Sequence, residues 1–102
     1  MHLVQILLPL YDNNKQPFTR DYFDSVHAEL TEKFGGVTAF IRSPAIGFWK
    51  EAGDDITRDD VVMFEVMTEE LDEAWWASHR QTLEEKFKQE ELVIRALTII
   101  ML

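Results

Sequence analysis

The chain has no cysteine among its 102 residues, which excludes disulfides, thiolate nucleophiles and cysteine zinc sites. Basic charge is scarce as well. Lys and Arg number 10 against 19 Asp and Glu, a net charge of −9. Such a surface repels phosphate backbones and anionic lipid, so neither nucleic acid nor a membrane is expected as a partner. No apolar run is long enough to span a bilayer. The opening MHLVQILLPL lacks a basic leader and a small-residue cleavage site, so it reads as a first strand and the protein as cytoplasmic. Repeats, low-complexity tracts and linkers are missing, and residues 1–102 read as a single domain.

Reaction signatures are missing too. There is no H-x-x-x-H, H-E-x-x-H, G-x-S-x-G, P-loop or dinucleotide fingerprint. His2, His27 and His79 have no local pairing, and the acidic run Asp54, Asp55, Asp59, Asp60 lacks the order of an EF-hand loop. No metal and no cofactor are expected.

What is present is 46 % apolar and 12 % aromatic residues, enough for a small core. A polar residue also recurs at the middle of apolar strands: Gln5 in LVQILL, Glu65 in VVMFEVM and Arg95 in LVIRAL. Strands alternate faces every residue, so these three mark one face of a sheet. The other face is continuously apolar, with Val4, Ile6 and Leu8, then Val62, Phe64 and Val66, then Leu92, Ile94 and Ala96.

The order of elements follows from periodicity. Residues 2–10 form a strand ending near Pro9, and YDNNKQP is turn chemistry. Phe23, Val26, Leu30 and Phe34 recur at helical spacing, with Thr19 as N-cap and Gly35-Gly36 as the stop. VTAFIR is the second strand, and a loop of about 18 residues follows. DVVMFEVM is the third strand, and Thr68 caps a helix over about 69–89. ELVIRALTIIML is a strand running to the end. This β-α-β-β-α-β order, with right-handed crossovers, predicts an α+β fold. It is the ferredoxin-like plait, a four-stranded antiparallel sheet in order 4-1-3-2 with both helices on one face.

The open face then carries a row of Arg95, Gln5, Glu65 and either Thr38 or Arg42, among Leu7, Phe40, Met63 and Leu97. So apolar a face calls for a partner, and a second copy related by a two-fold axis would cover it. Leu7, Phe40, Met63 and Leu97 are the expected homodimer contacts. The polar row has two readings. It is an interfacial network that sets register, or a pocket in which Arg95 holds an anion and Glu65 acts as base or acceptor. Gln5, Thr38, Arg42, Trp49, Glu65 and Arg95 are the candidate ligand-binding residues, and Glu65, Arg95 and His79 the candidate catalytic ones. His79 lies in the apolar stripe of the second helix beside Trp75, Trp76 and Leu83. It reads as a proton carrier or as a packed histidine donating to a backbone carbonyl. Trp49 in the long loop is expected to pin that loop or lid a pocket.

The whole-chain pattern resembles the dimeric α/β-barrel proteins. That group includes quinol-type and haem-degrading monooxygenases and muconolactone isomerases. The haem-degrading members use an Asn on the first strand and a Trp and a His far apart in sequence. Here Gln5 takes the strand position and Trp75 and Trp76 lie close to His79, so that triad is not carried over. KFGGVTAF, GFWKEAG and KFKQEELVIRA are similar to segments of a small bacterial family of unknown function. That likeness implies a shared fold and draws attention to Gly36, Thr38, Trp49, Gln89 and Glu90.

Three functions remain open on these grounds. The first is a homodimeric plait binding a small molecule at or beside the open sheet face. The second is a cofactor-free enzyme, monooxygenase- or isomerase-like, acting on a small aromatic substrate. The third is a protein-interaction module without a ligand pocket.

Overall fold

The computed structural model describes residues 1–42 and 61–102, and only the backbone at 39–42. The elements are β1 (His2–Pro9), α1 (Arg20–Phe34), β2 (Thr38–Arg42), β3 (Val61–Thr68), α2 (Glu73–Lys86) and β4 (Val93–Thr98). The strands form one antiparallel sheet in the order β2-β3-β1-β4. No helix among the described residues is long and apolar enough to cross a membrane.

Alternation decides the layers. Val4, Ile6 and Leu8 of β1 are fully buried, and Phe64 and Val66 of β3 nearly so. They share one apolar cluster with Val26 and Leu30 of α1 and Trp76 and Leu83 of α2, so both helices cover the same face of the sheet. Phe87 and Leu92 complete that cluster below α2.

The helix ends show how local chemistry sets the boundaries. Gly35 closes α1 at φ 82°, with its N–H donating to Thr31 O over 2.7 Å. Thr19 stands at the N-cap of α1 without a capping side-chain bond. The expected start of the second helix needs correction. Thr68 still pairs with His2 in the sheet, and its hydroxyl donates to Glu70 O over 2.7 Å. Four more residues carry the chain onto the helical layer. Asp72 is the cap, its carboxylate accepting Trp75 N–H over 3.0 Å.

The other end of α2 closes with two reversed bonds, Gln89 N–H to Glu84 O at 2.9 Å and Lys88 N–H to Glu85 O at 3.3 Å. Such a closure needs a left-handed residue, and Lys88 takes that place at φ 53°. A lysine pays a steric penalty there that glycine does not. Lys88→Gly is therefore expected to stabilise the fold by about 0.5–1 kcal/mol. Thermal unfolding would show it, and an unchanged or lowered midpoint would contradict it. Asn13 donates to the Lys88 carbonyl over 3.2 Å, a backbone contact the substitution leaves in place.

β4 also ends earlier than the apolar pattern suggests. It lies at the sheet edge with β1 as its neighbour. β1 pairs from His2 onward, and the last bond runs from Ile99 N–H to Met1 O over 3.0 Å. Ile100, Met101 and Leu102 follow that bond and are exposed despite their apolar character.

Candidate functional site

Register brings the polar residues of the open face into line. Gln5 lies opposite Glu65 on one side and Arg95 on the other, and Thr38 lies opposite Glu65. Between Thr38 and Arg42 the register therefore selects Thr38, because Arg42 pairs four positions along with Val61. The Gln5 amide bridges the two charges. Its Nε2 donates to Glu65 Oε2 at 2.7 Å, and its Oε1 accepts from Arg95 Nε at 2.7 Å. Both bonds are charge-assisted and short, which fixes the amide's orientation. Gln5 and Glu65 are half-buried, whereas Arg95 and Thr38 are exposed. Arg95 is exposed within the single chain because β4 is an edge strand.

Apolar rows flank the polar one. Leu97, Leu3 and Met67 share one level, and Val93, Leu7, Met63 and the Phe40 backbone position share the other. The first is open, with Met67 54 % and Leu97 46 % exposed. On the second level Val93 is 49 % exposed, but Met63 is only 1 % exposed within the single chain and has almost no surface left for a partner. The side chains of Phe40 and Arg42, the loop residue Trp49 and the aspartates at 54, 55, 59 and 60 lie outside the described residues.

His79 sits in the other layer. It is 8 % exposed, stacked on Trp75 at 4.7 Å with 14° between the planes and edge-on to Trp76 at 5.9 Å. Its Nε2 is buried and has no hydrogen-bond partner among the described residues. The ring is thus held by stacking, and the expected donation to a backbone carbonyl is not made among the described residues. The sheet separates it from Glu65 and Arg95, so these three candidates do not assemble into one catalytic site. Burial lowers the His79 pKa below its usual value. Glu29 from α1 opposes that shift and Lys86 from α2 adds to it.

A pH dependence follows. A histidine whose folded pKa lies below its unfolded value of 6.5 is neutral in the fold, so the unfolded chain binds more protons. Its contribution is complete above pH 6.5 and declines as pH falls through the folded pKa. Wild type is expected to lose stability from pH 6.5 towards pH 5 more steeply than His79→Phe, which keeps the aromatic stack and cannot titrate. Equal slopes in urea unfolding across that range would contradict this.

A cleft missed in the sequence lies beside the sheet edge, between α2 and β4. It holds about 270 Å³. Leu71, Trp76, Val4 and Ile94 form its apolar walls, Ala77 and Ala96 leave it room, and Glu73 and Arg80 bring charge to it. The sequence signal was the pair of small residues on facing elements, Ala77 on the helix and Ala96 on the edge strand. Arg95 borders the cleft from the edge strand, while its guanidinium is bonded into the polar row on the open face. Gly36, Gln89 and Glu90 lie at neither. Gly36 is exposed after the α1 cap, Gln89 closes α2 and donates from its side chain to Phe87 O over 3.0 Å, and Glu90 is exposed.

No family model matches the chain, and no curated protein matches it. Its fold is similar to that of two solved structures, each at TM-score 0.60 and 14 % identity over 94 % of this chain. They are a phage SAM lyase in complex with S-methyl-5′-thioadenosine, covered over 79 % of its length, and a phage SAM lyase in the apo state, covered over 78 %. At that identity the likeness is one of fold alone.

Proposed function

We propose that this chain is a cytoplasmic homodimer of ferredoxin-like plaits that binds a small molecule beside the open sheet face. The binding site in this reading is the cleft between α2 and β4. The observation that carries it is the Arg80 guanidinium beside an apolar floor of Val4, Leu71, Trp76 and Ile94 in a chain of net charge −9. A guanidinium at the rim of an apolar floor favours a ligand with an anionic or electron-rich end and an apolar body. A volume of about 270 Å³ is of the size that takes a small metabolite. The homodimer is supported by exposed Met67, Leu97 and Val93 on the open face, which is the kind of apolar surface that partners cover.

The fold likeness supplies the first probe, S-methyl-5′-thioadenosine, the molecule bound in one of the similar structures. Calorimetry and thermal shift with that nucleoside and with small aromatic carboxylates and phosphates test the reading. Saturable binding to wild type is expected. It is lost in Ala77→Phe, because Ala77 is an exposed residue lining the cleft and a larger side chain there fills it. No binding by any of these compounds, or equal binding to Ala77→Phe, would exclude the cleft as the site.

A further inference from the structure

We infer that the second copy docks with its two-fold axis parallel to the strands above Gln5, so that Arg95 of each copy meets Glu65 of the other. This rests on the homodimer reading above and goes beyond it by naming the axis and the contacts.

The argument is one of symmetry. Across the strands the polar row runs cation, amide, carboxylate, because β4, β1 and β3 are neighbours and Gln5 pairs with both Arg95 and Glu65. Two sheets meeting face to face can be related by an axis lying between them in either of two main directions. An axis running across the strands stacks Arg95 on Arg95 and Glu65 on Glu65. Like charges in such proximity cost several kcal/mol. An axis running along the strands reverses the row instead. It places each guanidinium over the opposite carboxylate and each Gln5 over its own symmetry copy. Adjacent strands lie about 4.8 Å apart, so the two charges of one row are separated by roughly 10 Å, and both ends engage at once.

The apolar rows agree with the same axis. Leu97 and Met67 occupy one level at opposite ends of a row centred on Leu3. Reversal brings the exposed Leu97 of one copy over the exposed Met67 of the other, twice. Met63, already covered within its own chain, contributes little, so the contact is centred on the polar row and the Leu97–Met67 level. The bonds from Gln5 hold Glu65 Oε2 and Arg95 Nε in place before association. Glu65 Oε1 and the terminal guanidinium nitrogens make no hydrogen bond among the described residues and remain to meet the partner. Pre-organised charges of this kind lose less entropy on docking than mobile ones.

Charge exchange tests the inference on the intact chain, read by sedimentation velocity over a concentration series. Arg95→Glu puts four carboxylates in the interface and is expected to weaken dimerisation at least about a hundredfold. The double exchange Arg95→Glu with Glu65→Arg restores the pairing in a homodimer. Arg95→Glu mixed with Glu65→Arg restores it as a heterodimer. Because Arg95 is exposed on an edge strand, the series Arg95→Lys, Arg95→Gln, Arg95→Glu gives a second reading that leaves Glu65 untouched. Affinity should fall in that order. A wild-type dimer indifferent to the Arg95 series would overturn the axis and leave the dimer standing. So would dimerisation that fails in Arg95→Glu while properly folded exchange partners do not recover it. A wild type that stays monomeric up to high micromolar concentration would overturn the homodimer reading itself, and the axis with it.

Discussion

Phe87→Ala is expected to cost about 3–5 kcal/mol, the range for truncating a buried aromatic without collapse of the site. Phe87 is fully buried at the end of α2. Its ring meets Phe18 edge-on at 5.0 Å, Tyr22 at 5.5 Å and Phe23 at 5.7 Å. Phe18 enters from the turn before α1, and Tyr22 and Phe23 from the first turns of that helix, so one ring ties three segments together. Those neighbours share the stretch 18–23, whose helix is anchored to the sheet by Val26 and Leu30, so they cannot close fully on the space left behind. Domains of this size have a total stability of about 5–15 kcal/mol, so the variant should be partly unfolded near body temperature. Phe87→Leu retains most of the volume and should lose much less. Urea unfolding of the three proteins distinguishes the cases. A loss below 1 kcal/mol in Phe87→Ala would show that the cluster rearranges around the gap.

The polar row was legible in the alternation of β1, β3 and β4 alone. Each of these strands has one wholly apolar face, which leaves Gln5, Glu65 and Arg95 on the other. Their joining into one hydrogen-bonded line needed the strand order as well, and that followed from the β-α-β-β-α-β succession. The end of the row was not legible. β2 is apolar at Ala39, Phe40 and Ile41, and the connection to β3 is too long for a turn type to set the register, so Thr38 and Arg42 stood as equals until the Thr38–Glu65 pairing separated them. The start of α2 was misplaced for a related reason. Thr68 and Asp72 are both good caps in isolation. The pairing of Thr68 with His2, which keeps the strand going, is a long-range fact with no local signature.

His79 and the cleft mark the limit of the one-dimensional pattern. Helical spacing placed His79 among tryptophans, yet its stacking on Trp75 depends on side-chain rotation, which spacing leaves free. The cleft is lined jointly by Ala77 of α2 and Ala96 of β4, two elements distant in sequence. The separation of His79 from Arg95 by the sheet also bears on function. An enzyme reading that joined them as proton carrier and anion holder loses its geometry, and the surviving chemistry lies at the sheet edge.

Gln5→Leu should have the second largest effect, a loss of about 2 kcal/mol, on the order of 10 °C in melting temperature for a domain of this size. Leucine removes both charge-assisted bonds of the amide. The two partners then respond differently. Arg95 is exposed on the edge strand and regains water, so its share of the loss is small. Glu65 is half-buried in an interior strand between β1 and β2 and accepts its 2.7 Å bond from Gln5, so it is left under-solvated. That asymmetry supplies the test. Replacing Glu65 by leucine as well removes the stranded carboxylate, and the pair Gln5→Leu with Glu65→Leu should regain most of the stability, since exchanging both partners for apolar groups can be nearly neutral. The same double variant removes one end of the charge row and should weaken self-association even as it restores the fold. The measurements are made at one fixed protein concentration, because association adds to apparent stability by mass action. A double variant no more stable than Gln5→Leu would mean that Gln5 acts through packing against Leu3 and Leu7, and that the carboxylate was never held by the amide in any sense that matters energetically.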